Sequence, residues 1–199
     1  MAKRIAKAAQ KNQPGRLRIV AGNWRSRLLD IADVPGLRPT SERVRETLFN
    51  WLAPRIARAR VLDLFAGTGA LGLEALSRGA AEAVFVESSA VAVATLRKNV
   101  AALEACSAQI NNTDAFDYLQ RSTDAPFDVV FLDPPFAADN LDELCRLLAK
   151  SSLLAANAWV YLEEDRVRVP VTLPDGWRRL KTKQAGNVRY SLVEAAADA

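Results

Sequence analysis

Three features of the 199-residue sequence predict an α/β protein built on one mostly parallel sheet. From residue 60 onward, short apolar runs alternate with helix-length segments, the pattern of strands joined by crossover helices. The run Phe127–Leu132 is apolar almost throughout, as a strand covered on both faces must be. A glycine-rich turn, Gly67-Thr-Gly69-Ala-Leu-Gly72, stands between the first such run and the helix after it.

The elements follow in order. Residues 1–15 are polar and basic and end in Pro14-Gly15, so a flexible basic arm is expected. Two short runs, Arg16–Val20 and Arg27–Ile31, flank Ala21-Gly22-Asn23 and predict a β-hairpin extension within residues 16–36. Arg16, Arg18, Arg25 and Arg27 then lie on its surface, with Trp24 among them. Pro35-Gly36 breaks the chain, and the main domain is expected over 37–199. A helix over 41–52 is capped by Thr40 or Ser41 and carries one apolar stripe of Val44, Leu48, Phe49 and Leu52. Strands are expected at 61–65, 83–86, 108–111, 127–132 and 158–162, with helices at 71–77, 88–104, 114–120 and 140–149 between them. Residues 177–183 and 187–193, about Gly186, predict a closing antiparallel pair.

Composition narrows the chemistry. No apolar run spans a membrane, and the basic N-terminus lacks the apolar segment of a secretory signal, so a cytoplasmic protein is expected. There is no histidine, which removes histidine bases, serine–histidine triads and histidine-ligated metals. Cys106 and Cys145 match no zinc or redox spacing, and no metal is expected. Nothing demands a dimer, so a monomer is expected. The net charge of +4 hides an asymmetry: residues 1–60 hold fourteen Lys and Arg against four Asp and Glu, and the remainder is acidic. A basic N-terminal third on an acidic body suits a polyanionic partner.

The glycine turn opens a helix after a strand, and Glu87 ends the next strand about twenty residues on, placed to accept from ribose hydroxyls. That much suits a nicotinamide or flavin nucleotide as well as S-adenosylmethionine. Two details favour the latter. Asp63 precedes the glycines at the strand's carboxyl end, where a carboxylate suits an ammonium and a sulfonium and repels a pyrophosphate. The third strand ends at Asp114-Ala115, placed to meet an adenine amine. Each acid singly could be only a turn or capping residue. Three at consecutive strand ends is the ligand-binding edge of an open α/β sheet.

The fourth strand ends in Asp133-Pro134-Pro135-Phe136. Two prolines fix the backbone and remove two N–H donors. What remains is a rigid pair of acceptors, the Asp133 carboxylate and the Pro134 carbonyl, which can hold both hydrogens of an NH2 group. An exocyclic amine on a base shares its lone pair with the ring and must be oriented to react. It becomes positive as it takes a methyl group, so acceptors aimed at it favour the transition state over the ground state. Phe136 offers a face for the base to stack on. Asp133 or water takes the leaving proton.

On these segments the chain resembles the RsmD family, bacterial 16S rRNA guanine-N2 methyltransferases. The resemblance runs from Arg16 to Val193. It is carried by Arg18-Ile-Val-Ala-Gly-Asn-Trp-Arg-Ser-Arg27, Leu37-Arg-Pro-Thr40, Arg43-Val-Arg-Glu-Thr-Leu-Phe-Asn-Trp-Leu52, the Asp63–Arg78 glycine segment and Asp133–Phe136. It implies a Rossmann-like class I S-adenosylmethionine-dependent methyltransferase, with a seven-stranded, mostly parallel sheet and an N-terminal hairpin that grips RNA. Cofactor contact is expected at Asp63, Phe65, Ala66, Gly67, Thr68, Gly69, Glu87, Asp114 and Ala115. The family often has Asn-Ala where this chain has Asp114-Ala115, and either residue can accept from the adenine amine. RNA contact is expected of Arg18, Arg25 and Arg27, and with them Trp24, Arg38, Thr40, Arg43 and Arg45. The implied partner is 16S rRNA within the small ribosomal subunit or an assembly intermediate. The rival readings are an N6-adenine nucleic-acid methyltransferase, a nicotinamide-dependent oxidoreductase, and a non-catalytic RNA-binding factor on the same fold. The absence of histidine and of a Tyr-x-x-x-Lys pair opposes the oxidoreductase, and the intact DPPF and glycine turn oppose the non-catalytic factor.

Overall fold

In a computed structural model of the chain, residues 15–35, 39–135, 138 and 140–196 are described. Residues 1–14 of the expected arm 1–15, Arg38 and Phe136 lie outside them. Beyond the hairpin strands β1 (Arg16–Arg18) and β2 (Leu28–Asp30), the order is α1 (Glu42–Leu52), β3 (Arg60–Asp63), α2 (Ala70–Ser77), β4 (Glu82–Val86), α3 (Ala90–Ala102), β5 (Ala108–Asn111), α4 (Ala115–Arg121), β6 (Phe127–Leu132), α5 (Leu141–Lys150), β7 (Leu154–Asp165), β8 (Arg178–Ala185) and β9 (Val188–Glu194).

Seven of these strands form one sheet in the order β5-β4-β3-β6-β7-β9-β8. The first five run parallel, and β9 joins β7 and β8 antiparallel. The chain leaves β3 toward β4 on one side and returns to β6 on the other. The crevice at the carboxyl ends of β3 and β6 is therefore the switch point at which open α/β sheets bind ligands. Asp63 ends β3 there, and Asp133 follows β6.

Side chains alternate across each strand, so the sheet has two apolar faces. Val61, Phe85, Val129, Phe131, Tyr161 and Leu192 pack under α1 and α2, with Leu96 of α3. Leu62, Val84, Val130, Leu132, Val160 and Val193 pack under α4 and α5. The first helix shows how local chemistry sets these positions. Ser41 caps α1 by accepting the Val44 N–H, and the stripe Val44, Leu48, Phe49 and Leu52 is buried. Trp51 of α1 stacks on Tyr190 of β9, with ring centroids 5.5 Å apart.

The strand expected at 158–162 is longer, running from Leu154 to Asp165. Leu154 pairs with Phe127 but Trp159 pairs with Val129, so the residues between them bulge out, and Asn157 takes φ 57°. Ala155-Ala156-Asn157 carries no strand signal, because only the neighbouring ladders hold it extended.

The hairpin is not a free appendage. Its turn docks on α2: Val20 and Ala21 donate to the two oxygens of Glu74 at 2.8 and 3.0 Å. Asn23 donates to the Ser77 carbonyl and Trp24 to Ser77 Oγ. Gly22 has φ +85°, and a Cβ there would lie 1.8 Å from the Ser77 carbonyl oxygen, so only glycine permits this approach. Glu74 is fully buried and also receives Arg45 at 3.3 Å and Arg78 at 2.7 Å. Among the described residues no helix is long and apolar enough to cross a membrane.

Candidate active site

The glycine turn is shaped by the strand before it and the side chains beneath it. Gly69 caps α2 with φ +85°, and a Cβ there would meet Leu96 at 2.5 Å and Leu73 at 2.9 Å. Gly72 N–H donates to Asp63 Oδ2 at 3.0 Å, which fixes the carboxylate beneath the turn. Asp63 is 2% exposed, and burial pushes its carboxyl up to about 7, with the Gly72 hydrogen bond opposing. Glu87, at the end of β4, accepts from Gly67 N–H at 2.8 Å and from Ser89 N–H at 2.7 Å. Asp114 is exposed three residues beyond β5 and caps α4 by accepting the Phe116 N–H. Phe65 packs half-buried against the second core, and Ala66 and Ala115 are buried beside it.

This donor set suits S-adenosylmethionine. Carboxylates stand at or just beyond the ends of β3, β4 and β5, and the turn from Asp63 to Gly72 carries no cation to balance a pyrophosphate. Thr68 Oγ1 is buried without a partner among the described residues, a polar atom in the turn left for a ligand to satisfy. Asn99 of α3 donates to the Thr68 carbonyl and exchanges two hydrogen bonds with the Asp30 backbone, tying the turn to the hairpin.

The amine-acceptor loop faces this turn across the switch point. Thr40 Oγ1 donates to Asp133 Oδ2 at 3.1 Å, which holds one carboxylate oxygen and leaves the other for a substrate. Asp133 is half-buried, and Pro134 is buried behind it. The register Leu132↔Leu162 carries on to set Asp133 beside Glu163 of β7. Glu163 is 7% exposed, lines a small cavity with Pro134 and Pro135, and accepts from Tyr161 Oη at 2.7 Å. Burial, the Glu163 charge and then the Asp63 charge raise the Asp133 carboxyl well above its ordinary range, while Thr40 opposes. Burial likewise raises Glu163, against the Tyr161 hydrogen bond.

Asp63 and Glu87 thus hold the turn of Gly67, Thr68 and Gly69 from two strand ends, and Asp133 and Pro134 follow the neighbouring strand β6. Sequence reasoning missed Glu163, although its place two residues beyond Tyr161 on a strand neighbouring the Asp133 strand was a usable signal. It missed Glu74 as well, because a lone acid in an apolar helix gives no hint of which cations and amides meet it.

The residues expected to contact RNA divide. Arg18, Arg25, Arg27 and Arg43 are exposed. Arg18 and Arg25 line an open cleft of about 480 Å³ with Glu42, Glu46 and Arg78. Arg27 also donates to the Ala102 carbonyl of α3 at 2.6 Å. Arg45 is a correction. It is 0% exposed and spent on Glu74, the Thr40 carbonyl and the Arg18 carbonyl, so it reaches no RNA. Thr40 is another: it is 6% exposed, and its hydroxyl serves Asp133 instead. Trp24 is half-buried against the core under the hairpin.

The conserved hypothetical protein 95 family model matches residues 17–194. The chain is 47% identical over 184 residues to ribosomal RNA small subunit methyltransferase D of Escherichia coli strain K12, covering 92% of each chain. It is 42% identical to the protein of the same name from Haemophilus influenzae, covering 96% of this chain and 100% of that one. The solved structure of yhhF from Escherichia coli superposes with a TM-score of 0.86 at 43% identity, over 92% of this chain and 100% of that one.

Proposed function

The chain belongs to the conserved hypothetical protein 95 family and is an S-adenosylmethionine-dependent methyltransferase; from that premise we propose that it methylates the exocyclic N2 amine of a guanine in 16S rRNA, within the small ribosomal subunit or its assembly intermediate. The observation that carries this reading is Asp133, held by Thr40 just past β6 at the switch point, with the cofactor turn beside it. The ribosomal substrate rests on the names of the relatives. We place the protein in the cytoplasm, acting as a monomer without a metal.

When bound, S-adenosylmethionine supplies a methyl group bonded to a positive sulfur, and Asp63, Glu87 and the Gly67–Gly69 turn would hold it. The chain's own residues do the rest. Asp133 and the Pro134 carbonyl take one N2 hydrogen each, which turns the nitrogen lone pair toward the methyl carbon. The methyl group would pass from that sulfur to the nitrogen, and the free oxygen of Asp133 takes the proton that the nitrogen then loses. Glu163 adds a second negative charge beside that proton. Arg18, Arg25, Arg27 and Arg43 hold phosphates of the RNA.

Mapping methylated guanosine in small-subunit RNA from cells lacking the gene tests the reading. One N2-methylguanosine disappears and returns on re-expression. An unchanged pattern overturns the substrate.

Two further outcomes follow from the buried acids. Asp63 is half-protonated near pH 7 in the free protein, and the ammonium group of a bound ligand favours its carboxylate. Titrating S-adenosylhomocysteine at pH 6.5 in buffers of different ionisation enthalpy therefore shows proton release, which fades above pH 8 and is absent from Asp63→Asn. For Glu163→Gln, the sign runs through Asp133. A base works only when unprotonated, and the Glu163 charge raises the proton affinity of Asp133. Removing that charge moves the acid limb of the kcat profile to lower pH and lowers the plateau about tenfold, because a weaker base accepts less readily. A profile that keeps its limb shows that Glu163 does not act on Asp133.

A further inference from the structure

Strand β8 carries four cations and no acid, Arg178, Arg179, Lys181 and Lys183, and it is one of the two edge strands of the sheet. The two arginines are engaged. Arg178 pairs with Glu194 at 2.8 Å, and Arg179 meets Glu164, Ser191 and the Val171 carbonyl. The two lysines are exposed and make no hydrogen bond or ion pair among the described residues, apart from Lys181 lying 6.0 Å from the Trp51 ring.

The register decides where they point. Arg179 pairs with Val193, yet Lys181 pairs with Leu192, because Leu180 is an extra residue in the ladder. A one-residue slip moves every following side chain to the other face. Without it, Lys181 and Lys183 would join Arg179 on the face under α4 and α5. With it, they stand on the face of Leu192 and Tyr190, which α1 covers and where Thr40 meets Asp133. Lysines on an edge strand commonly only block aggregation. That task is met on either face and needs no bulge.

Lys183 is also level with the chemistry. Glu163 pairs with Tyr190, and Tyr190 with Lys183, so one row of the sheet runs from Asp133 through Glu163 and Tyr190 to Lys183 at the carboxyl end. Three strand spacings make that about 14 Å, the place of a flanking nucleotide and not of the target base. We infer that Lys181 and Lys183, turned onto the Asp133 face by the β8 bulge, form a second phosphate-binding surface that holds the RNA strand beside the target guanine, across the site from the N-terminal hairpin. This inference rests on the RNA reading of the site.

The test uses the full chain, with small ribosomal subunits from cells lacking the gene as substrate. Lys181→Ala/Lys183→Ala is compared with the wild type and with Lys181→Arg/Lys183→Arg, and KM is followed against potassium chloride. Each phosphate contact contributes about 0.7–0.9 to the salt slope, so the alanine pair lowers the slope by roughly 1.5 and raises KM about tenfold. Its kcat, its melting temperature and its affinity for S-adenosylhomocysteine stay at wild-type values, and the arginine pair restores KM. A wild type that methylates the subunits beside an alanine pair with unchanged KM and slope overturns the surface alone. A wild type that leaves the subunits unmethylated overturns the substrate reading and the surface with it.

Discussion

Asp133→Asn lowers the single-turnover rate of methyl transfer by about a thousandfold, within the range set by loss of a general base or of a charge aimed at the transition state. The substitution keeps the shape of the loop and removes two things. The asparagine oxygen accepts, but it carries no charge to balance the positive nitrogen, and it cannot hold a proton at neutral pH. If that oxygen keeps the Thr40 hydroxyl, the NH2 group of asparagine points at the substrate amine, donor against donor. The cofactor turn hangs on Asp63 and Glu87 through hydrogen bonds that do not involve Asp133, so calorimetry with S-adenosylhomocysteine gives a dissociation constant within about twofold of the wild type. Thr40→Val frees the second Asp133 oxygen and costs less, about tenfold, the worth of one hydrogen bond to a charged group. An Asp133→Asn protein that transfers methyl groups within tenfold of wild type removes the loop from the chemistry.

What was readable in the sequence depended on whether the signal was local. Strand β6 was visible from its own residues, because burial on both faces makes five of its six positions apolar, with Asp128 the exception. The cap of α1 was visible because Ser41 acts on the N–H group three residues ahead. Asp63, Glu87 and Asp133 could be found because strand ends and glycine turns bring them to one edge whatever the rest of the chain does. Arg45 shows where this stops. On a helical wheel it lies opposite Arg43 and among Leu48, Phe49 and Leu52, so the apolar stripe marks it as buried, but nothing near it in the chain supplies the acid that pairs with it there. Its partner, Glu74, is 29 residues away on another helix. The bulge at Leu180 was hidden for the same reason, since a register exists only between two strands. Cations misread in one place and unassigned in another thus have a common cause: their roles are set by contacts distant in the chain.

That buried pair yields the largest stability effect. Glu74 receives two backbone amides of the hairpin turn and two guanidinium groups. Removing it leaves Arg45 charged at 0% exposure with only carbonyl partners, and burial already lowers the pKa of that guanidinium, with the Glu74 charge opposing. Breaking one partner of a buried ion pair costs about 3–5 kcal/mol. At roughly 2–4 °C per kcal/mol for a chain of this size, Glu74→Ala melts about 10 °C below the wild type. The loss is directional. Val20 and Ala21 lose their acceptors, so their amides exchange with solvent faster than those of β6 by more than the global destabilisation accounts for. The double variant Glu74→Leu/Arg45→Met removes both fully buried charges and leaves Arg78 on the open cleft it lines, and it recovers much of the melting temperature, because a neutral pair of similar volume avoids desolvating two ions. It leaves the Val20 and Ala21 amides fast, since leucine accepts nothing. The hairpin is then loose on a stable body, and RNA affinity falls while S-adenosylhomocysteine binding does not. A Glu74→Ala protein that melts within 3 °C of wild type, or keeps both amides protected, would show that α2 holds the hairpin through the Ser77 contacts alone.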